Sequence, residues 1–254
     1  MRNAKIRFTD RVVDYQRYRP CYPDALTALL RDDIHLAPAT PVADVGSGTG
    51  IFTRQLLNTG YDVFAIEPNH AMRSAAESLL SDYEAFHSIA GSAEDTTLPD
   101  RQVDLVTATQ SFHWFDLEPA RIEFMRITRP PHRVMLAWNH RLEATDGFNS
   151  AYESFLHRWC DEYAQILEIS QNRDRVERFY GRSQNYQLYR FENGQSLNWD
   201  ALQGRIKSCS YVPGVQDPRH IPMLCDLRLI FDQYESQGRV ALLYDTQVYL
   251  GTLE

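Results

Sequence analysis

Val42-Ala43-Asp44-Val45-Gly46-Ser47-Gly48-Thr49-Gly50-Ile51-Phe52-Thr53-Arg54-Gln55-Leu56-Leu57 decides how this chain folds. A short β-branched run stops at a glycine-rich turn, and apolar residues then recur at helical spacing. A strand, a tight turn and a helix in that order place a ligand beyond the carboxyl end of a buried parallel strand. Glycine suits the turn because a Cβ would stand between the backbone and the ligand. The dinucleotide fingerprint G-x-G-x-x-G would put its third glycine at position 51, where Ile51 stands instead.

Working outward, the same grammar repeats. Pro23 to Leu30 reads as a helix, and Thr59-Gly60 ends the helix that follows the glycine turn. Tyr61 to Ile66 is a second buried strand, tipped by Glu67-Pro68, and Asn69 to Met72 begin another helix. Phe86 to Ala90 is a third strand, Val103 to Ala108 a fourth, Pro119 to Arg129 a helix, and Arg133 to Trp138 a fifth strand. From Asn139 to about Asn185 the pattern turns aromatic, with Phe148, Tyr152, Phe155, Leu156, Trp159, Tyr163, Ile166 and Leu167 spaced as one amphipathic helix. Leu188 to Asn193 and Arg239 to Leu250 read as strands, with helices over 199–206 and 221–234 between them. Strands alternating with helices predict an α/β fold around a mostly parallel sheet.

Composition narrows the function. The 254 residues are 43% hydrophobic, enough to bury a core without staples. Cys21, Cys160, Cys209 and Cys225 form no C-x-x-C pair and no metal-ligand cluster, so no metal is expected and a reducing, cytoplasmic setting is. The start lacks an apolar signal segment, and no run approaches the length of a membrane span. A net charge of −8 disfavours a bulk grip on nucleic acid. Glu67 stands seventeen residues after Gly50, at the tip of the neighbouring strand, where a carboxylate accepts hydrogen bonds from a ribose diol. The bland alternative is a solvated glutamate at a strand end.

Asp44-x-Gly46-x-Gly48-x-Gly50 resembles motif I of the class I S-adenosylmethionine-dependent methyltransferases. The lead-in Tyr15-Gln16-Arg17-Tyr18-Arg19-Pro20-Cys21-Tyr22-Pro23 and the stretch Asp104 to Asp116, with His113-Trp114-Phe115-Asp116, are similar to the methyltransferase type 11 group, its trans-aconitate-methyltransferase-like members in particular. Gly91-Ser92-Ala93-Glu94 looks like that family's adenine clamp, and Ser208 to Pro213 like its S-x-S-Y-V-P turn. The resemblance implies a Rossmann-like seven-stranded sheet with an antiparallel C-terminal hairpin, helices on both faces and a helical lid insertion. It implies S-adenosylmethionine as cofactor, with Asp44, Gly46, Ser47, Gly48, Gly50, Glu67, Pro68, Met72, Ser92, Ala93 and Glu94 around it. Arg19 or a lead-in tyrosine would meet the methionine carboxylate, and Gln110 and Trp114 would line the transfer pocket. His113 becomes the leading general base, with Tyr15 and Tyr18 behind it.

The resulting layout is one domain: a flap and helix over 1–35, a cofactor-binding half over 36–138, a helical lid over 139–185 and the rest of the sheet over 186–254. The expected partner is a small-molecule methyl acceptor offering a carboxylate or hydroxyl oxygen, and the protein is read as monomer or homodimer. Arg173, Arg175, Arg178 and Arg182 are candidate acceptor cations or a solvated face. Pro131-His132 replaces the family's glycine pair before the fifth strand. Two rivals stay open: a non-catalytic protein that only binds the nucleoside, and an NAD-dependent oxidoreductase.

Overall fold

One sheet carries β1 (Pro41–Val45), β2 (Asp62–Ile66), β3 (Phe86–Ile89), β4 (Val103–Thr109), β5 (Thr128–Arg141), β6 (Tyr186–Leu197) and β7 (Val240–Thr252), in the spatial order β3-β2-β1-β4-β5-β7-β6. These elements come from a computed structural model that describes residues 11–181 and 183–254. The beginning of the lead-in, Phe8 to Asp10, and the candidate cation Arg182 lie outside them. β1 to β5 pair in parallel, whereas β7 is antiparallel to both β5 and β6. A dinucleotide-type sheet would stay parallel to its end, so the reversed β7 sets this fold apart from that type. The β6–β7 pair is the expected antiparallel ending, joined through two helices.

The helices are α1 (Val12–Tyr18), α2 (Asp24–Asp32), α3 (Ile51–Asn58), α4 (His70–Leu79), α5 (Leu117–Ile127), α6 (Gly147–Trp159), α7 (Tyr163–Ser170), α8 (Arg173–Tyr180), α9 (Trp199–Lys207) and α10 (His220–Tyr234). Side-chain alternation along the strands divides the core into two layers. Val106, Ala108, Val134, Leu136 and Trp138 face one way, with Phe112, Phe124 and Phe179 packed on them. Val42, Leu105, Met135 and Ala137 face the other, under Leu26, Leu30, Phe52 and Leu56. With helices on both sides, the strands read as near-continuous apolar runs. A third cluster, with Tyr152, Phe155, Leu202, Ile206 and Leu227, joins α6, α9 and α10 to the far end of β7.

Two local expectations change. The aromatic stretch is not one helix: α6 stops at Trp159, Cys160 turns extended, and α7 starts again at Tyr163, which is buried. α8 then turns Val176, Phe179 and Tyr180 into the main core, with the Tyr180 hydroxyl 3.0 Å from the carbonyls of Val134 and Tyr249. At Pro131-His132, β5 runs on instead of turning, and His132 takes the left-handed conformation (φ 57°) that a glycine would supply.

Candidate active site

β1 ends at Val45 and hands the chain to a loop whose first glycine is pinned to the next strand, Gly46 N–H donating to the Ile66 carbonyl at 2.8 Å. Gly46 and Gly48 both have positive φ, 71° and 58°. A Cβ on Gly46 would come 2.5 Å from the Ser111 Cβ, whereas one on Gly48 would meet nothing within 4 Å. The first glycine lets two chain segments touch. The second keeps one side of the loop open.

Two carboxylates hold this loop from behind. Asp44 is fully buried and accepts from Thr53 Oγ1 on α3 at 2.6 Å and Thr107 Oγ1 on β4 at 2.9 Å. Burial pushes its pKa up to about 6 against the pull of the two hydroxyls. Asp44 therefore braces the first turn of the glycine motif and does not line the cavity beyond it. Glu67 accepts from the Gly48 N–H with Oε2 (3.0 Å) and from the Asn69 N–H with Oε1 (2.8 Å). Burial raises its pKa while those two N–H groups oppose the rise. Each oxygen keeps lone-pair capacity for a further donor.

In front of the loop lies a cavity lined by Gly46, Ser47, Gly48 and Thr49, by Thr109, Gln110, His113 and Trp114 after β4, and by Asn139, His140 and Arg141 at the end of β5. Its roof is the lead-in: Tyr15, Arg19, Pro20 and Tyr22. Tyr22 packs edge-on to Phe52, Gln55 hydrogen-bonds both its N–H and its carbonyl, and Asn139 and Asn193 donate to the Cys21 carbonyl. Arg19 stacks over the Tyr15 ring at 4.7 Å and donates to the Ser208 carbonyl. The far wall comes from Tyr163, Ile166, Leu167 and Ser170 of α7, and from Arg205, Ser210 and Tyr211. Two buried atoms on this surface, Thr49 Oγ1 and Arg19 Nε, have no hydrogen-bond partner. Native interiors leave few such atoms unsatisfied, so these two are available to a polar ligand or to water.

Gln110 sits in a left-handed conformation (φ 55°) and donates its side-chain N–H to the Asn139 carbonyl. Such backbone is uncommon for a non-glycine residue and collects at functional sites. His113 is packed against Trp114, ring centroids 4.7 Å apart, and its Nδ1 lies 3.5 Å from the Trp138 indole N–H. Accepting there leaves the imidazole proton on Nε2, which makes that nitrogen a donor. Burial first, then the neighbouring His140 and Arg175, holds the His113 pKa down to about 3. The residue expected from sequence to be the leading general base is thus a neutral imidazole with its proton on Nε2. Tyr18 is also displaced: its ring lies on α9, where a Cβ at Gly204 would come within 2.1 Å of it, and it does not line the cavity.

The expected adenine-side residues gather at the tips of β2 and β3. Glu67 N–H donates to the Ile89 carbonyl, joining the two tips. Pro68 is exposed, Met72 and Ala93 are buried, Ser92 N–H donates to the Asp95 carbonyl, and Glu94 accepts from the Asp116 N–H. None of them lines that cavity; Glu67 connects them to it through Gly48. Of the arginine-rich stretch, Arg175 donates to the Phe115 carbonyl behind His113, while Arg173 and Arg178 are exposed. Besides Arg19, the cations that face the cavity are Arg141 and Arg205, which the sequence reading missed. Arg141 was signalled by the polar run Asn139-His140-Arg141 following an apolar strand. Arg205 had no local signal, and Tyr211 stood out only as part of the Ser208 to Pro213 turn, with no site role attached.

Residues 43–136 match the methyltransferase domain family model. An uncharacterised methyltransferase of Mycobacterium tuberculosis is 37% identical over 143 residues, 56% of each chain. A Schizosaccharomyces pombe methyltransferase-like protein is 32% identical over 135 residues, 53% of this chain and 52% of its own. The chain thus spans about half the length of these curated relatives. Among solved structures, a protein of Anaeromyxobacter dehalogenans described as a type II methyltransferase superposes with a TM-score of 0.64 at 21% identity, over 92% of this chain and 98% of its own. The Haemonchus contortus phosphoethanolamine N-methyltransferase 2, solved with phosphomonomethylethanolamine and S-adenosylhomocysteine, gives 0.57 at 11% identity, over 96% of this chain and 57% of its own. The [4+2]-cyclase SpnF gives 0.53 at 14% identity, over 99% of this chain and 95% of its own. At these identities the superpositions establish the fold alone.

Proposed function

We propose that the chain carries a class I methyltransferase domain and that it transfers the methyl group of S-adenosylmethionine to a carboxylate oxygen of a small acid. The observation that carries the acceptor class is the charge on the cavity wall. Arg141 and Arg205 both face the cavity, and the one carboxylate that pairs with either of them among the described residues is Glu153, at 3.0 Å from Arg141 Nε. Cations on a wall that also holds Tyr163, Ile166 and Leu167 suit a compact anion with an apolar body.

The cofactor side has its own fit. Gly48 offers an open face, Glu67 has spare acceptor capacity, and Thr49 Oγ1 and Arg19 Nε are buried without partners. These residues would hold the sugar and the amino-acid end of the nucleoside. Bound, S-adenosylmethionine supplies a methyl group already activated by its sulfonium charge, so the protein's work is alignment and desolvation. Trp114 and the apolar residues of α7 keep water from the cavity, and the His113 Nε2–H offers a hydrogen bond to the acceptor. A carboxylate is ionised at neutral pH and has no proton to give up. An alcohol would need a base, and a histidine held near pKa 3 is a poor one.

Methyl-labelled S-adenosylmethionine incubated with a panel of mono-, di- and tricarboxylic acids, and with matched alcohols and amines, tests this reading. Base-labile methyl esters of one or more acids are the expected product. Label found only on alcohols or amines, or none transferred by protein that binds the nucleoside, would overturn it.

A further inference from the structure

Arg205 is 3% exposed, and no carboxylate among the described residues lies within ion-pair distance of it. Its Nε points to the Tyr244 hydroxyl at 3.3 Å, and its Nη1 to the Cys209 sulfur at 3.1 Å. A guanidinium taken out of water without a counter-charge is strongly unfavourable. Cys209, one helical turn further along, is fully buried, and the Tyr211 hydroxyl also hydrogen-bonds to its sulfur. Both neighbours of the sulfur, Arg205 and Tyr211, line the cavity. The sulfur itself stands behind that wall.

We infer that Cys209 is held as a thiolate and serves as the counter-anion that fixes Arg205 and Tyr211 on the acceptor side of the cavity. It is a positioning residue, touching neither cofactor nor acceptor. At the short Nη1 contact the sulfur is the acceptor, and this contact is closer than the 3.6 Å from the sulfur to the Arg205 carbonyl, the group to which a thiol would donate.

The groups around the sulfur agree with this. Burial raises its pKa, but Arg19 from the end of α1, Arg205, the Tyr211 hydroxyl and Arg141 from β5 together outweigh it and bring it down to about 6. Tyr152 on α6 and Tyr211 are pushed the other way by burial, and Cys160 after α6 up to about 12, so these three stay neutral. The sulfur is then charged at neutral pH and becomes protonated as pH falls through about 6.

The ionisation is tested on a chain that keeps Cys209 as its one thiol (Cys21→Ser, Cys160→Ala, Cys225→Ser), against the same chain with Cys209→Ser. The expected result is a thiolate ultraviolet absorbance at neutral pH, present only with Cys209 and titrating away near pH 6. Absorbance that appears only in the ordinary thiol range, around pH ~8.5, would overturn it. The positioning role rests on the carboxylate-acceptor reading above and uses an acid that the labelling panel identifies. Cys209→Ser in the full chain should raise KM for that acid about tenfold while leaving kcat and S-adenosylhomocysteine binding near wild type, and Cys209→Asp should restore KM. An unchanged KM in a folded Cys209→Ser chain would refute positioning even if the thiolate is present. A silent acid panel would sink the acceptor reading while the spectral titration still decides the ionisation.

Discussion

Alanine substitutions at Gly46 and Gly48 separate folding from binding within three residues of one loop. Both positions need a positive φ, which costs an alanine roughly 1–2 kcal/mol, offset in part by the smaller entropy of the unfolded chain. For Gly48→Ala that is nearly the whole effect on stability, because the new methyl meets nothing within 4 Å. For Gly46→Ala the methyl arrives 2.5 Å from the Ser111 Cβ, and Ser111 must move away from its 2.9 Å hydrogen bond to the Val45 carbonyl. Overpacking adds about 1–3 kcal/mol, and losing the bond about 1 kcal/mol more. Urea unfolding should therefore place Gly46→Ala about 2–4 kcal/mol below Gly48→Ala. Calorimetric titration with S-adenosylhomocysteine should reverse the order of concern, since Gly48→Ala puts a methyl into the cavity of an otherwise native protein and should lose affinity about tenfold or more. Equal losses of stability in the two variants, or native affinity in Gly48→Ala, would refute the reasoning.

Three further outcomes follow from the site. Asp44 has a pKa raised to about 6, so its contribution to stability is greatest below the ordinary carboxylate range and is lost as pH rises through 6. Carrying the ionised form at neutral pH costs about 3 kcal/mol, and Asp44→Asn should gain on wild type by about that much between pH ~4 and ~7; a pH-independent difference in urea unfolding would contradict it. Glu67→Ala should weaken S-adenosylhomocysteine binding by about 1–3 kcal/mol and also loosen the loop, because the Gly48 and Asn69 N–H groups lose their acceptor; unchanged affinity by calorimetry would take Glu67 out of the site. His113, kept neutral by burial, contributes no limb to the rate profile between pH ~5 and ~8, and His113→Gln should lower kcat without changing the profile's shape. The same burial destabilises the fold as pH falls below about 6.5, so wild type should lose more stability in acid than the variant.

What the sequence disclosed was mostly local. Val42 to Leu57 could be read because strand, turn and helix follow one another within sixteen residues, and the positive φ of its glycines is a requirement of the turn itself. Asn69 could be read as a helix start, and its side chain does accept from the Met72 N–H. The expectations that failed depended on contacts across the chain. Tyr18 carries an aromatic ring suited to a pocket, and only the glycine at position 204 reveals that the ring is committed to α9. His113 reads as a base until Trp138 and its burial fix the tautomer. The break at Cys160 leaves apolar spacing intact on both sides, so periodicity runs straight through it. Arg205 and Tyr211 reach the cavity from more than 150 residues beyond the glycine loop, brought there by α9 and by a β6–β7 pairing that no short motif encodes.

The central claim is that the loop after β1 seats S-adenosylmethionine. Isothermal titration of the natively folded chain with S-adenosylhomocysteine measures this without any knowledge of the acceptor. One site per chain, with a dissociation constant in the micromolar range and loss of that site in Gly48→Ala, is the predicted result. No heat and no thermal stabilisation up to about 1 mM ligand, an affinity too weak to matter, would contradict it.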